Sequence, residues 1–154
     1  MRIRVIWEGK TKDPHLRALA ADYQKRITRF VDIKIEETRP LRTGGAHSSK
    51  GLTKGEKRLL EKLRGSTKVF LDTSGREWSS AELAQWMGEQ AVRVPRDIVF
   101  VVGGADGFSE AFRQQADVRL SLSRMTLTHE WARVLLLEQI YRAFTILRGY
   151  PYPR

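Results

Sequence analysis

Five consecutive apolar residues, Ile98-Val99-Phe100-Val101-Val102, end at the pair Gly103-Gly104. A run with no polar residue at alternate positions has no face to turn to water, so it predicts a strand buried on both sides, as in a parallel sheet covered by helices. Ligands of such sheets bind beyond the carboxyl ends of the strands. That is where Gly103-Gly104-Ala105-Asp106-Gly107 falls. Glycine there allows backbone approaches that a Cβ forbids, although paired glycines after a strand are also an ordinary turn signal.

The flanking chain reads as strands and helices in alternation. Residues 2–7 form a first strand closed by Glu8-Gly9-Lys10. Gly9-Lys10-Thr11 resembles the end of a P-loop, but no glycine stands five residues before Gly9, which excludes one. Asp13 caps a helix with Pro14 at its first position, and Leu16, Leu19, Ala20, Tyr23, Ile27 and Phe30 recur at helical spacing. Val31, Ile33 and Ile35 alternate with Asp32, Lys34 and Glu36, which predicts a half-buried strand near a sheet edge. Thr53 and Glu56 make a capping box for a helix carrying Leu59, Leu60 and Leu63 and stopped at Gly65. A strand over 68–72 is turned by Thr73-Ser74-Gly75, and Ser79 and Glu82 box a helix whose Leu83, Trp86 and Met87 face inward. Ser109 caps a short helix with Phe112, residues 118–121 give a fifth strand, and Thr128 opens a last helix that ends near Arg148 and Gly149. Five strands and five helices predict one α/β domain over residues 1–154, its sheet mostly parallel with five or six strands.

The last helix is apolar over most of its circumference: Trp131, Val134, Leu135, Leu136, Leu137, Ile140, Tyr141, Phe144, Ile146 and Leu147 exceed the stripe a surface helix needs. It therefore has to be covered on two sides. The sheet is expected on one and a second subunit on the other, as in a cyclic dimer.

Charge divides the chain. Its net charge is +10, and residues 1–68 hold 18 Lys and Arg against 8 Asp and Glu, whereas residues 69–154 hold 10 against 10. The first half thus reads as a docking surface for a polyanion such as RNA, beside the plainer reading of a solvated basic face. All ten basic residues after position 68 are Arg, suited to fixed bidentate contacts. Residues 38–52, with Pro40, Gly44, Gly45 and Gly51 among Arg39, Arg42, His47 and Lys50, form a long basic loop, either RNA-contacting or disordered. There is no cysteine, which removes disulfides and thiolate metal sites. No signal peptide or spanning segment is apparent, so a cytoplasmic protein is expected.

Several ordered blocks are more specific. Val102-Gly103-Gly104-Ala105-Asp106-Gly107, Ser121 through His129, Arg133 through Ala143, and the closing Pro151-Tyr152 resemble the ribosomal RNA large subunit methyltransferase H family, of the SPOUT class, and the resemblance spans essentially the whole chain. It implies an α/β trefoil-knot fold, with residues 69–154 as the knotted, cofactor-binding and dimer-forming half. It also implies a homodimer that uses S-adenosylmethionine, without a metal, to methylate N3 of a pseudouridine in 23S ribosomal RNA on the ribosome. By the same resemblance Leu71, Gly103 and the segment Ser123, Arg124, Met125, Thr126, Leu127 and Thr128 hold the cofactor. Main-chain groups suffice to read adenine, and alignment of nucleophile and methyl is the enzyme's main work.

His129 at a helix start, where the dipole disfavours its charged form, is a candidate proton acceptor, or else merely a hydrogen-bonding partner of the loop. Glu138 and Arg142, at i, i+4, read as a surface ion pair from spacing alone. The family pattern gives them a site role, Arg142 on phosphate or base and Glu138 orienting it, and gives Arg133 a similar one. The tail departs from the family, which ends Pro-Tyr-His and a basic residue: Pro153 takes the His position here. Substrate contact then falls to Tyr152, able to stack on a base, and Arg154. Two other readings stay open: a SPOUT methyltransferase with another RNA target, and a non-catalytic RNA-binding protein of the same fold.

Overall fold

A computed structural model describes residues 1–42, 51–93 and 95–153. Its elements are β1 (Arg2–Glu8), α1 (Pro14–Ile27), β2 (Asp32–Thr38), α2 (Lys54–Lys62), β3 (Thr67–Glu77), α3 (Ser80–Arg93), β4 (Ile98–Val102), α4 (Glu110–Arg113), β5 (Val118–Ser121) and α5 (His129–Arg148). The strands form one sheet in the order β2-β1-β4-β3-β5, and every pairing is parallel. No helix among the described residues is long and apolar enough to cross a membrane.

The apolar run that bounds the fold class is β4, in the middle of the sheet, with all five residues at most 2% exposed. Strand side chains alternate between faces. Accordingly Ile98, Phe100 and Val102 join Val5, Trp7 and Val69 in a core with α1, α3 and α5, while Val99 and Val101 join Ile6 and Phe70 in a second core with α2 and α4. β2 is an edge strand, as its alternation predicts.

The caps expected from the sequence close the helices. Asp13 accepts from the His15 and Leu16 amides, Thr53 and Glu56 form a reciprocal box, Ser109 caps α4, Thr128 caps α5, and Gly149 ends α5 with φ +67°. A left-handed residue there favours glycine because it lacks a Cβ.

Two features differ from expectation. β3 does not end at a turn over Thr73–Gly75: the chain loops out after Leu71, and Arg76 and Glu77 pair again with Leu120 and Ser121 of β5. The loop-out is possible because Asp72 Oδ1 accepts from both the Ser74 amide (2.9 Å) and hydroxyl (2.8 Å), and because residue 75 is glycine. A Cβ there would lie 2.6 Å from the Arg119 backbone. Second, α5 packs between α1 and α3 on the sheet, so part of its apolar breadth is used within the chain. Trp131 (50%), Ile146 (47%) and Leu147 (42%) stay exposed.

Candidate active site

The loop-out within β3, the carboxyl ends of β4 and β5 and the start of α5 surround a cleft of about 500 Å³. β3 contributes Leu71, Asp72 and Thr73; β4 leads into Val102, Gly103, Gly104 and Ala105; β5 leads into Leu120 to Ser123, followed by Met125, Leu127 and Thr128; α5 adds His129 and Ala132. Gly107, Phe108 and Arg113 close the far wall. The size falls within the range of small-molecule sites, as does a lining of apolar side chains around a few polar groups.

Local chemistry keeps these loops open. At Gly103 a Cβ would meet the Phe108 ring at 3.2 Å. That ring cannot easily yield, because Phe108 packs against Phe70 and Phe112, with centroids 5.7 and 4.9 Å away. In the second loop Ser121 Oγ donates to the Ser123 carbonyl (3.0 Å), and Ser123 Oγ accepts from the Met125 amide (2.9 Å). Serines thus hold the bend locally, and Met125 stands 77% exposed at the mouth. An apolar wall of Leu71, Val102, Leu120, Leu122 and Leu127 beside glycine backbone fits a flat nucleoside bound by main-chain groups.

Two carboxylates stand by the cleft. Burial pushes the Glu8 carboxyl up, and this outweighs the hydrogen bond it accepts from the Leu41 amide. Burial acts the same way on Asp72, but the two Ser74 hydrogen bonds, with Arg113 and Arg119 nearby, hold it below the usual carboxylate range. Among the described residues no group of three or more His, Asp or Glu could hold a metal ion.

Of the residues singled out for the cofactor, Leu71, Gly103, Ser123, Met125, Leu127 and Thr128 line the cleft, as does His129; Arg124 and Thr126 are exposed and do not. Glu138, Arg142 and Tyr152 form a separate cluster. Arg142 donates to Glu138 Oε1 at 2.7 Å and to the Pro153 carbonyl at 2.6 Å, and its guanidinium lies 4.5 Å from the Tyr152 ring centroid. The Tyr152 hydroxyl is 3.2 Å from both Glu138 Oε1 and the Tyr23 hydroxyl. Burial, then the bond to Tyr23, then Glu138 push the Tyr152 phenol upward, so it stays protonated.

Arg133 belongs to neither group. It is 1% exposed, donates to Thr11 Oγ1 (3.0 Å) and to the Glu8 carbonyl, and lies over the Trp7 ring at 5.0 Å. Arg154 and residues 43–50 of the basic loop, His47 and Lys50 included, lie outside the described residues.

The family model described as predicted SPOUT methyltransferase matches residues 1–153. A ribosomal RNA large subunit methyltransferase H from a Geobacter species is 43% identical over 154 residues, covering 99% of this chain and 98% of the relative. The one from Gloeobacter violaceus is 38% identical over 153 residues with the same coverage. The chain belongs to the ribosomal RNA large subunit methyltransferase H family. In fold it is similar to a probable methyltransferase from Bordetella pertussis, with TM-score 0.54, 15% identity and 93% and 96% of the two chains covered.

Membership makes it a SPOUT methyltransferase that takes its methyl group from S-adenosylmethionine. For this methyltransferase, sequence reasoning passed over Asp72, Phe108, Arg113 and Ala132 in the cleft wall. The rule that ligands lie beyond parallel strand ends was a signal for Asp72. Arg113 and Ala132 enter through packing of α4 and α5, which carries no local motif.

Proposed function

We propose that this methyltransferase modifies N3 of a pseudouridine in large-subunit ribosomal RNA, the position numbered 1915 in 23S RNA, on the ribosome in the cytoplasm. The observation that supports it most is full-length identity near 40% to relatives named for that RNA, together with a nucleoside-sized cleft at the strand ends. S-adenosylmethionine supplies a methyl on a positively charged sulfur. Leu71 gives its adenine an apolar wall, Gly103 and the segment 123–128 hold it by main-chain groups, and His129 accepts the N3 proton. We carry the trefoil knot over from the family.

None of Glu138, Arg142 and Tyr152 lines the cleft. Ala132, the last residue of α5 in the cleft wall, and Glu138 are six residues apart, roughly 9 Å along a helix. We therefore assign the working enzyme a homodimer in which the exposed apolar residues of α5 are covered and the tail of one protomer faces the cleft of the other. There Arg142, oriented by Glu138, contacts phosphate or base, Tyr152 stacks on a base, and Arg154 adds charge. Arg133, buried and held by Thr11 and Glu8, positions the start of α5 and does not touch RNA. Residues 1–68 dock the ribosome.

Methyl transfer to purified ribosomes tests the target. Ribosomes carrying pseudouridine at the target should accept the methyl and those carrying uridine should not. Methylation elsewhere would indicate another RNA site.

A further inference from the structure

Among the described residues lining the cleft, Arg113 is the one Lys or Arg side chain. It is 41% exposed, and its Nε lies 4.0 Å from Asp72 Oδ2, too far for a hydrogen bond. Arg119 NH1 approaches the same oxygen at 3.9 Å but does not line the cleft. Asp72 Oδ2 is buried with no hydrogen-bond partner, and the Asp72 side chain is 4% exposed. The carboxylate therefore anchors the Arg113 guanidinium electrostatically without occupying its donors. Opposite them lies Gly107, where a Cβ would be 3.9 Å from an Arg113 terminal nitrogen, so the guanidinium sits over open glycine backbone. A forked cation with unused donors at the edge of an apolar, nucleoside-sized cleft matches a carboxylate in the bound ligand.

We propose that Arg113 binds the α-carboxylate of the amino-acid end of the methyl donor, and that Asp72 is the positioning residue that holds Arg113 in place. The inference rests on the cleft taking S-adenosylmethionine and goes further by naming the side chain that reads its amino-acid part. It explains how a site built mainly of backbone and apolar groups tells the donor from nucleosides lacking that part: adenine contacts are common to both, and only the carboxylate meets Arg113. Removing a hydrogen-bonded charge contact of this kind weakens binding by about 10- to 100-fold.

Calorimetry on the full-length protein with two ligands decides the point. S-adenosylhomocysteine carries the amino-acid carboxylate and methylthioadenosine does not. Wild type should bind S-adenosylhomocysteine more tightly. Arg113→Met should weaken S-adenosylhomocysteine by about 10- to 100-fold and leave methylthioadenosine unchanged, which also reports an intact cleft. Arg113→Lys should recover part of the loss, and Arg119→Gln should alter neither ligand. Asp72→Asn should narrow the preference between the two ligands while methylthioadenosine still binds. Equal weakening of both ligands by Arg113→Met would make it a shaping residue and overturn the inference, as would no weakening at all. If wild type binds neither ligand at millimolar concentration, the assignment of the cleft fails first, and this inference with it.

Discussion

Arg133 shows how far residue type can mislead about position. Arginine is seldom buried unless paired, and in sequence Arg133 stands at the head of a block rich in family signal, which drew it toward substrate. In the fold its guanidinium ties α5 to the end of β1 through Thr11 Oγ1 and the Glu8 carbonyl, and Trp7 covers it. Burial pushes the guanidinium pKa downward. Lysine has neither the fork nor the flat face, so Arg133→Lys should cost about 2 to 4 kcal/mol of stability in urea denaturation. A change within error would mean these bonds contribute nothing net. Burial also disfavours the charged form of Glu8. Its carboxyl is raised in the fold, so the folded state holds its proton more tightly than the unfolded chain. The stability this contributes is complete below the unfolded value of about 4.3 and is lost as pH rises through the folded value. Glu8→Gln should therefore gain melting temperature relative to wild type between pH 4 and 7. A constant difference across that range would show that Glu8 titrates alike in both states.

At the scale of elements, strands and helices were legible because each carries local evidence: alternation in β2, an unbroken apolar run in β4, and side-chain caps on α1, α2, α4 and α5. What was not legible depends on partners distant in sequence. Nothing in Thr73-Ser74-Gly75 tells a turn that ends a strand from a loop-out that resumes pairing, since the distinction lies in the Arg119 backbone beside Gly75. Nor does a capping box disclose that Glu56 is fully buried, accepting from the Ser109 amide (2.9 Å) and hydroxyl (2.7 Å) so that α2 and α4 share one carboxylate. The cleft loops and the tail make separable predictions. Gly103→Val sets a branched side chain against a packed Phe108 ring and should abolish cofactor binding while the protein stays folded. Deleting residues 150–154 should preserve cofactor affinity and abolish methyl transfer, because the tail docks on Glu138, Arg142 and Tyr23 and leaves the cleft intact. Unchanged turnover in the deletion would remove the tail from the mechanism.

For the whole molecule, the division of charge and the separation of the two clusters point to different measurements. The net charge of residues 1–68 is +10 and that of residues 69–154 is zero, and every described residue lining the cleft lies in the second part. With about six phosphates neutralised, ribosome affinity should fall roughly 10³-fold from about 50 to 200 mM salt, while cofactor affinity, set by the neutral part, changes little. Parallel slopes would mean that the basic half does not dock RNA.

The separation of cleft and tail gives the stricter test, because two inactive proteins should repair each other. Gly103→Val spoils the cleft and keeps the tail; the 150–154 deletion spoils the tail and keeps the cleft. If each site takes its cleft from one protomer and its tail from the other, a mixed dimer holds one complete site and one doubly broken site. Random mixing makes half the dimers mixed, so activity should return to roughly a quarter of wild type. If each protomer used its own tail, neither site of the mixed dimer would be complete, and mixing would restore nothing. An inactive mixture whose subunits have demonstrably exchanged would therefore reject the shared site while leaving the dimer itself untouched.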